Sequence, residues 1–197
     1  HWLNGNSRTG SKRNIMAHYD LGNDFYKLWL DPSMSYSSAL YRAVDDGDLA
    51  TAQRAKYRRI LRRLQAEAGQ SVLEIGCGWG GFAELAVQEG LQVTGLTLSP
   101  AQLAWAQQRV PGADLRLQDY RDTREQFDHI VSIEMFEAVG ERWWPTYFRT
   151  VARATKPGGR AVIQSITIRD DLFPDYRKGT DFIQQYVFPG GMLPSPE

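Results

Sequence analysis

The chain has 197 residues, enough for one domain with a sizeable hydrophobic core. Its 23 basic and 23 acidic residues cancel, so no global field attracts nucleic acid, and we expect no nucleic-acid partner. The single cysteine, Cys77, excludes an internal disulfide and cysteine-based metal sites, and no metal is predicted. Without a visible signal peptide or a long apolar segment, the sequence favours a cytoplasmic protein that does not span a membrane.

The N-terminal third divides into three parts. Residues 1–17 are polar and basic and are expected to be a loosely held lead-in, whereas residues 18–41 are dense in aromatic side chains. Residues 45–64 are predicted to form a helix with one apolar and one basic face. The basic face is either simply solvated or attracted to an anionic lipid surface. Its residues are Arg54, Lys56, Arg58, Arg59, Arg62 and Arg63.

The rest of the chain alternates strands with helices. Predicted strands lie near 71–75, 92–96, 114–118, 127–133 and 160–167, and predicted helices near 81–89, 100–109 and 143–155. Alternation at this spacing is typical of βαβ units, so it predicts an α/β domain with a parallel sheet. The Lys-Pro-Gly-Gly sequence at 156–159 is predicted to form a turn that ends the third of these helices.

A glycine-rich segment after the first strand gives the strongest indication of a ligand site. Residues 76–81 follow the pattern G-x-G-x-G-G, directly after an apolar run that contains Glu74. A strand, a glycine turn and a helix form a nucleotide-type site at the carboxyl edge of a sheet. Pyrophosphate binders prefer G-x-G-x-x-G, and Glu74 would repel pyrophosphate but suit the sulfonium and amino groups of S-adenosylmethionine (SAM). A tight connection without a ligand is the other interpretation.

Polar residues follow the second and third strands, where an adenosine ligand would lie. Ser99 is predicted to be a helix N-cap, which leaves Thr97 and Gln102 unexplained and available to a ribose. Asp119 is suited to accept a hydrogen bond from an adenine amino group, with the neighbouring Tyr120 ring covering the base. A loop aspartate that caps a turn accounts for Asp119 equally well.

Two carboxylates, Glu134 and Glu137, lie three residues apart after the fourth strand. In a helix they would share one face, which would allow the paired acid chemistry of a hydrolase. They are also explained as acids that favour the start of a helix. The apolar and aromatic segment 181–194 is either a lid or tunnel wall for an apolar substrate, or ordinary core.

These segments together resemble the cyclopropane-fatty-acid synthases, including the mycolic-acid cyclopropane synthases, which are SAM-dependent methyltransferases. The resemblance implies a Rossmann-like class I methyltransferase fold, with a central, mostly parallel sheet, helices on both faces and a helical N-terminal cap. The aromatic N-terminal block and the Phe-Glu-Ala-Val-Gly sequence are specific to this family. The segments that carry the resemblance are His18–Tyr26, Leu30–Ser37, Leu73–Gly81, Leu96–Ser99, Glu134–Gly140 and Phe188–Ser195.

The resemblance implies a set of SAM-binding residues. Those from the N-terminal cap are Tyr19, Tyr36 and Ser37. Gly76 and Gly78 would border the methionine part, beside Glu74. The adenosine part would be held by Thr97, Leu98, Gln102, Asp119 and Tyr120.

The resemblance also implies methyl transfer to a cis double bond of a phospholipid acyl chain, followed by ring closure through a carbocation. Glu137 matches the family glutamate that helps to hold a bicarbonate ion, which would remove the proton. This chain has Ser38 where members often have cysteine, and Gln164 where many have histidine. Gln164 can hydrogen-bond an anion but cannot carry a proton. Ile166, two residues after Gln164, is also expected to belong to this catalytic group.

We expect residues 1–64 to form the lead-in and cap, residues 65–197 the methyltransferase core and residues 170–197 a lid over the substrate site. The family's last strands, with a tyrosine that contacts bicarbonate, are expected beyond residue 197. Without them residues 160–167 would form an open edge, and this fragment alone would be marginally stable or aggregate.

Phospholipid acyl chains at the inner face of a membrane, bound peripherally, are the expected partners, and a homodimer stays open. Alternatives are methyl- or methylene-branched products from the same fold, a small-molecule methyltransferase, and a non-catalytic SAM- or lipid-binding fragment.

Overall fold

A five-stranded parallel sheet forms the centre of the computed structural model, which describes residues 7, 10–11, 14–15, 22–41 and 47–197. The strands are β1 (Ser71–Ile75), β2 (Gln92–Thr97), β3 (Asp114–Leu117), β4 (Phe127–Ile133) and β5 (Thr155–Gln164). Their order across the sheet is β3-β2-β1-β4-β5. All four pairings are parallel, so the carboxyl ends of the strands meet at one edge.

Helices connect these strands and cover both faces of the sheet. They are α1 (Gly22–Lys27), α2 (Leu49–Leu64), α3 (Gly81–Gln88), α4 (Pro100–Arg109), α5 (Trp144–Ala154) and α6 (Phe173–Tyr176). Ser99 caps α4 by accepting a hydrogen bond from the Gln102 backbone N–H, as its sequence predicted. Among the described residues, no helix has the length and apolar composition needed to cross a bilayer.

Side chains that alternate along the strands build two cores. Val72 and Val131 pack with α2, α3 and α4, while their neighbours Leu73 and Ile130 pack with α5 on the opposite face. Both faces of a parallel sheet are buried in this way because crossover helices return over each side. The predicted α/β fold of the class I methyltransferase type, with helices on both faces, is confirmed.

The predicted helix over 45–64 begins later than expected. Asp48 has an extended backbone, and its carboxylate accepts a hydrogen bond from the Thr51 backbone N–H at 2.8 Å, so Asp48 is the N-cap and Leu49 the first helical residue. Residues 45 and 46 lie outside the described residues, as do Tyr19 and most of the predicted lead-in.

The predicted bounds of β5, residues 160–167, are wrong at both ends. The stretch 156–159 does not form a separate turn but continues the strand from Thr155. Its register against β4 shifts between Phe127 and His129, and Gly158 has φ +79°, which is the geometry of a bulge. At its C-terminal end β5 stops at Gln164 rather than at residue 167. Beyond that point the Ile166 backbone N–H donates to the Glu137 carboxylate.

Candidate active site

The carboxyl edge of the sheet opens into a cavity. Residues at the ends of β1, β2 and β4 line it, together with Asp119 and Tyr120 after β3. In open parallel sheets this edge is where ligands bind. The predicted cofactor residues that line the cavity are Tyr36, Ser37, Glu74, Gly76, Gly78, Thr97, Leu98, Gln102, Asp119 and Tyr120. The fold therefore brings the described members of that set to one place, while their individual roles stay predictions.

The glycine turn after β1 depends on backbone conformations that side chains rarely adopt. Gly76 has φ +85°, and a methyl group added there would lie 2.8 Å from Met135 Cγ. Gly78 has φ +51°, and a methyl group there would meet no atom of the described residues within 4 Å. The space beside Gly78 is thus open, so a ligand in the cavity can approach its backbone.

Glu74 is buried at the wall of this cavity. Its side chain is 3% exposed, and its Oε2 has no hydrogen-bond partner among the described residues. Burial raises the pKa of Glu74 to about 8, against the opposing attraction of the Lys56 ammonium. A buried carboxylate without a donor is costly, and a cationic ligand would relieve that cost.

The end of β2 presents a small network of polar groups. The Thr97 hydroxyl donates to Gln102 Oε1 at 2.9 Å and accepts from the Ser99 backbone N–H at 3.1 Å. All three side chains are buried. The amide nitrogen of Gln102 has no partner among the described residues, which leaves one donor at the cavity wall for the predicted ribose contact.

Asp119 forms both the turn cap and a buried ion pair. Its Oδ1 accepts from the Arg121 backbone N–H at 2.9 Å, and its Oδ2 lies 2.6 Å from the Arg121 guanidinium. The turn-cap interpretation is therefore realised. Oδ1 also accepts from Arg121 Nε at 2.8 Å, so only Oδ2 retains capacity for another donor. Arg121, which sequence reasoning missed, is 8% exposed and also lines the cavity.

The segment before α2 forms one wall of the cavity. The Tyr36 ring stacks with Phe188 at 6.4 Å between centroids, and burial raises the pKa of Tyr36. The Ser37 hydroxyl accepts from Lys56 Nζ at 2.5 Å, and its carbonyl accepts from Gln53 at 2.8 Å. Lys56 thus holds this wall in place.

The position of Lys56 corrects one expectation for the basic face of α2. Lys56 is 3% exposed, whereas the five arginines of that face are exposed. Burial lowers the pKa of Lys56 to about 8, although nearby carboxylates oppose the shift. A lysine within a basic run gives no sequence signal of this burial, because its carboxylate neighbours come from distant strands.

The two carboxylates after β4 bind different partners. Glu134 has φ +48° and follows the strand directly, and Phe136–Ala138 forms a short 3-10 helix, so the two acids do not share one face of an α-helix. Glu134 Oε1 accepts from the Ser38 backbone at 3.0 Å and from the Gln164 amide at 2.9 Å. Two of the predicted catalytic residues therefore meet at Glu134, which was not among them.

Glu137 lies behind the cavity wall. Its Oε1 accepts hydrogen bonds from the Ser165 hydroxyl at 2.9 Å and from the Ile166 backbone N–H. Burial raises the pKa of Glu137, and its Oε2 is buried without a partner among the described residues. Ser165 was missed by sequence reasoning, since a serine at a strand end carries no distinctive pattern.

The segment expected to form a lid packs against this region. The Met192 backbone N–H donates to the Glu137 carbonyl at 2.8 Å, and the Asn14 amide donates to the Pro189 carbonyl at 3.0 Å. Phe188 and Pro189 line the cavity, whereas Phe182 and Tyr186 are exposed. The segment therefore closes one side of the site.

Comparison with known proteins shows to which family the chain belongs. Residues 6–197 match the family model of the mycolic acid cyclopropane synthetases. The chain belongs to this family. The family resemblance inferred from the sequence motifs is thereby confirmed. The chain is 45% identical over 182 residues to the cyclopropane-fatty-acyl-phospholipid synthase of Escherichia coli, a match that covers 90% of this chain and 46% of that protein.

A second relative, the tuberculostearic acid methyltransferase UfaA1 of Mycobacterium tuberculosis, is 41% identical over 97% of this chain and 48% of its own length. The chain thus spans about half the length of these curated relatives. Among solved structures, that of the mycolic acid cyclopropane synthase CmaA1 complexed with SAH and CTAB matches with a TM-score of 0.84 and 33% identity. This match covers 93% of this chain and 70% of CmaA1.

Proposed function

We propose that the protein is a SAM-dependent C-methyltransferase that acts on cis double bonds of unsaturated phospholipid acyl chains and forms a cyclopropane ring. One observation carries the proposal. One cavity at the carboxyl edge of the sheet is lined both by Glu134 and by the buried carboxylate of Glu74, whose Oε2 has no partner among the described residues. Glu74 suits a cationic methyl donor, and Glu134 is a carboxylate in the same cavity that could accept a proton. Family membership supports the same activity.

The residues present fit SAM. Glu74 would face its positive charge, the open space beside Gly78 would admit its methionine part, and the polar groups of Gln102 and Asp119 would hold its adenosine part. Tyr36 and Ser37 would cover it from the N-terminal side. When bound, SAM supplies an electrophilic methyl group. The solved structure of CmaA1 is a complex with SAH, which supports this assignment.

The chain's own aromatic residues suit the rest of the reaction. An alkene that accepts a methyl group becomes a carbocation, which aromatic faces attract and water would trap. The rings of Tyr36 and Phe188 stack at the cavity wall. We therefore assign to segment 170–197 the role of a lid that keeps the acyl chain away from water.

The residues do not fit bicarbonate as they stand. The donors expected to hold it are Ser38, Gln164 and Ile166, as implied by the resemblance. In this chain Ser38 and Gln164 donate to Glu134, and Ile166 donates to Glu137. Each donor is already bonded to a carboxylate of the protein, and a second anion would be repelled by that charge.

A peripheral position at the inner face of a membrane follows from the proposed substrate, because phospholipid chains are reached at the bilayer surface. The exposed arginines of α2 suit an anionic surface. A cytoplasmic location and a homodimer are further parts of this proposal.

The activity is tested with the full-length protein, vesicles of monounsaturated phospholipid and methyl-labelled SAM. Mass spectrometry of the released fatty acids should give a gain of one CH2 unit with loss of the double bond to a ring. The same mass with a surviving alkene would indicate a methyl- or methylene-branched product instead. Labelled SAM that binds without labelling any lipid would refute the proposed acceptor and favour a small-molecule acceptor or a binding function.

A further inference from the structure

Three donors converge on one carboxylate oxygen at the end of β4. Glu134 Oε1 accepts from the Ser38 backbone N–H at 3.0 Å, from the Ser38 hydroxyl at 2.5 Å and from the Gln164 amide at 2.9 Å. The Glu134 backbone N–H donates in turn to the Gln164 carbonyl at 2.8 Å. The carboxylate is held through both its side chain and its backbone, and it fills the place that a small anion would take.

The other oxygen of the same carboxylate is available. Glu134 Oε2 accepts no hydrogen bond from any residue that the structure describes. Glu134 lines the cavity, whereas Ser38 and Gln164 do not. A carboxylate that is anchored through one oxygen and unbonded at the other is arranged to accept a proton from a substrate.

The backbone of Glu134 points to the same role. Its φ of +48° lies in the left-handed region, which a glutamate rarely adopts. Such strained positions persist where the surroundings fix them, and they are concentrated at functional sites. Here the bonds to Ser38 and Gln164 fix the strained residue with its carboxylate at the cavity.

A buried ammonium lies in the same region. Among the carboxylates that attract Lys56, Glu134 has the largest effect, ahead of Asp31 and Glu74. Lys56 bonds Ser37, which is directly next to the donor Ser38. A positive charge therefore lies beside the cluster that holds the Glu134 carboxylate.

We propose that Glu134 replaces bicarbonate in this protein and is the group that accepts the proton lost on ring closure. The inference rests on the proposed function, and it deepens it by naming the proton acceptor. Its consequence is a reaction that needs no bicarbonate.

The proton transfer balances without another reactant. Methyl addition to one alkene carbon leaves a positive charge on the other. The Glu134 carboxylate takes one proton from the added methyl group, and the electron pair of that C–H bond forms the new C–C bond to the cationic carbon. The carboxylate becomes a carboxylic acid, and it returns its proton to solvent after the product leaves.

The first experiment measures occupancy independently of turnover. Carbon-13 NMR of labelled bicarbonate is recorded with the full-length protein and with its Glu134→Gly variant. The wild type should leave the bicarbonate line unchanged, whereas the variant should broaden it, because glycine frees the Ser38 and Gln164 donors. Glycine also adopts the left-handed backbone without strain, so this variant should fold.

The second experiment measures turnover in carbonate-free buffer. The wild-type rate should stay within about twofold when bicarbonate is added. Glu134→Gln should lose at least about a hundredfold in rate while its dissociation constant for SAM stays within about twofold. Glu134→Gly should be inactive in carbonate-free buffer and regain activity with bicarbonate. Glu89→Gln, at an exposed position after α3, is the matched control and should retain the wild-type rate.

Three results would overturn the inference. These are bicarbonate binding by the wild type, a wild-type rate that collapses without bicarbonate, and a Glu134→Gln variant with undiminished ring formation. Absence of any lipid product from the wild type would refute the proposed function and the assignment of a proton acceptor. The NMR comparison would then still decide whether Glu134 occupies the anion position.

Discussion

At the scale of single residues, the site is governed by carboxylates in three different environments. Glu74 is buried, with no partner for its Oε2 among the described residues, and Glu134 is anchored by three donors. Glu137 does not line the cavity and is bonded through one oxygen. Because burial and hydrogen-bond donors differ, we expect these identical side chains to have different tasks. Substitution of each carboxylate should change a different measurable quantity.

We expect Glu74 to make SAM binding depend on pH. Its pKa of about 8 in the free protein means that it is mostly protonated below pH 8, and its proton must leave before it can pair with a cation. Affinity should therefore rise as the pH increases towards 8, by up to about tenfold per unit, and then level off. Isothermal titration calorimetry between pH 6 and 9 measures this.

Glu74→Gln is the matched variant for that measurement. It should bind SAM weakly at every pH. Any change of its affinity with pH that remains would come from titration of the ligand itself. A wild-type affinity that does not change between pH 6 and 9 would contradict the assignment of Glu74 to the cationic ligand.

Glu137→Gln should affect turnover and not cofactor binding. Glutamine keeps the shape of Glu137 but cannot present a full negative charge to Ser165 and Ile166, so the segment after β5 would be held less firmly beside the site. We expect a loss of about a hundredfold or more in rate. The dissociation constant for SAM should stay unchanged, because Glu137 does not line the cavity. Undiminished turnover would remove Glu137 from the catalytic group.

At the scale of elements, the site depends on how closely β2 approaches the turn after β1. The backbone N–H groups of Gly76 and Cys77 both donate to the Leu96 carbonyl, at 2.9 and 2.8 Å. Gly95 lies next to this contact and has no side chain to keep the two segments apart. The position of the glycine turn is therefore fixed by packing from the neighbouring strand.

Gly95→Ala should destabilise the fold. The added methyl group would lie 2.6 Å from Leu115 Cδ2 and 3.0 Å from Cys77 Cβ, so β2 must shift. Overpacking of this kind costs about 1–3 kcal/mol, or roughly 2–12 °C in melting temperature for a chain of this size. Circular dichroism during heating measures the change.

Gly179→Ala is the control for that variant. Its methyl group would lie 3.6 Å from the nearest atom, the Asp175 carbonyl oxygen, which is an ordinary contact. It should melt within about 1 °C of the wild type. Equal melting temperatures for all three proteins would show that β2 can move without cost.

At the scale of the whole molecule, a net charge of zero conceals an uneven distribution. Arg54, Arg58, Arg59, Arg62 and Arg63 are exposed on α2, and none has a salt-bridge partner among the described residues. Exposed charges of one sign add up along such a face. We therefore expect them to attract an anionic lipid surface within about a Debye length.

Replacement of Arg59, Arg62 and Arg63 by glutamine should weaken membrane binding. Each arginine near an anionic surface contributes about 1 kcal/mol, so the triple variant should bind up to roughly a hundredfold more weakly. Co-sedimentation with vesicles that contain anionic phospholipid, at low and high salt, measures this. The wild type should lose most of its binding at high salt.

The matched control replaces Arg124, Arg149 and Arg160, which are exposed elsewhere on the protein. It removes the same net charge but leaves the α2 face intact, so it should bind vesicles nearly as well as the wild type. Equal losses for the two triple variants would mean that net charge, rather than this face, determines membrane binding.

The sequence by itself determined the order of strands and helices along the chain, the parallel sheet and the edge of the sheet at which the cavity lies. Those features depend on short-range patterns, such as the apolar run before Gly76 and the Ser99 cap, which act over a few residues. The alternation of strands and helices then places the strand ends at one edge. Local preferences and chain connectivity together leave few other arrangements.

Only the tertiary structure decided which polar groups meet. Ser38, Glu134 and Gln164 are separated by up to 126 positions, and neither spacing nor residue type indicated that they form one cluster. Burial of Lys56 depends in the same way on contacts between α2 and distant strands. Such contacts depend on how closely packed elements approach one another, to a fraction of an ångström, which a linear pattern does not encode.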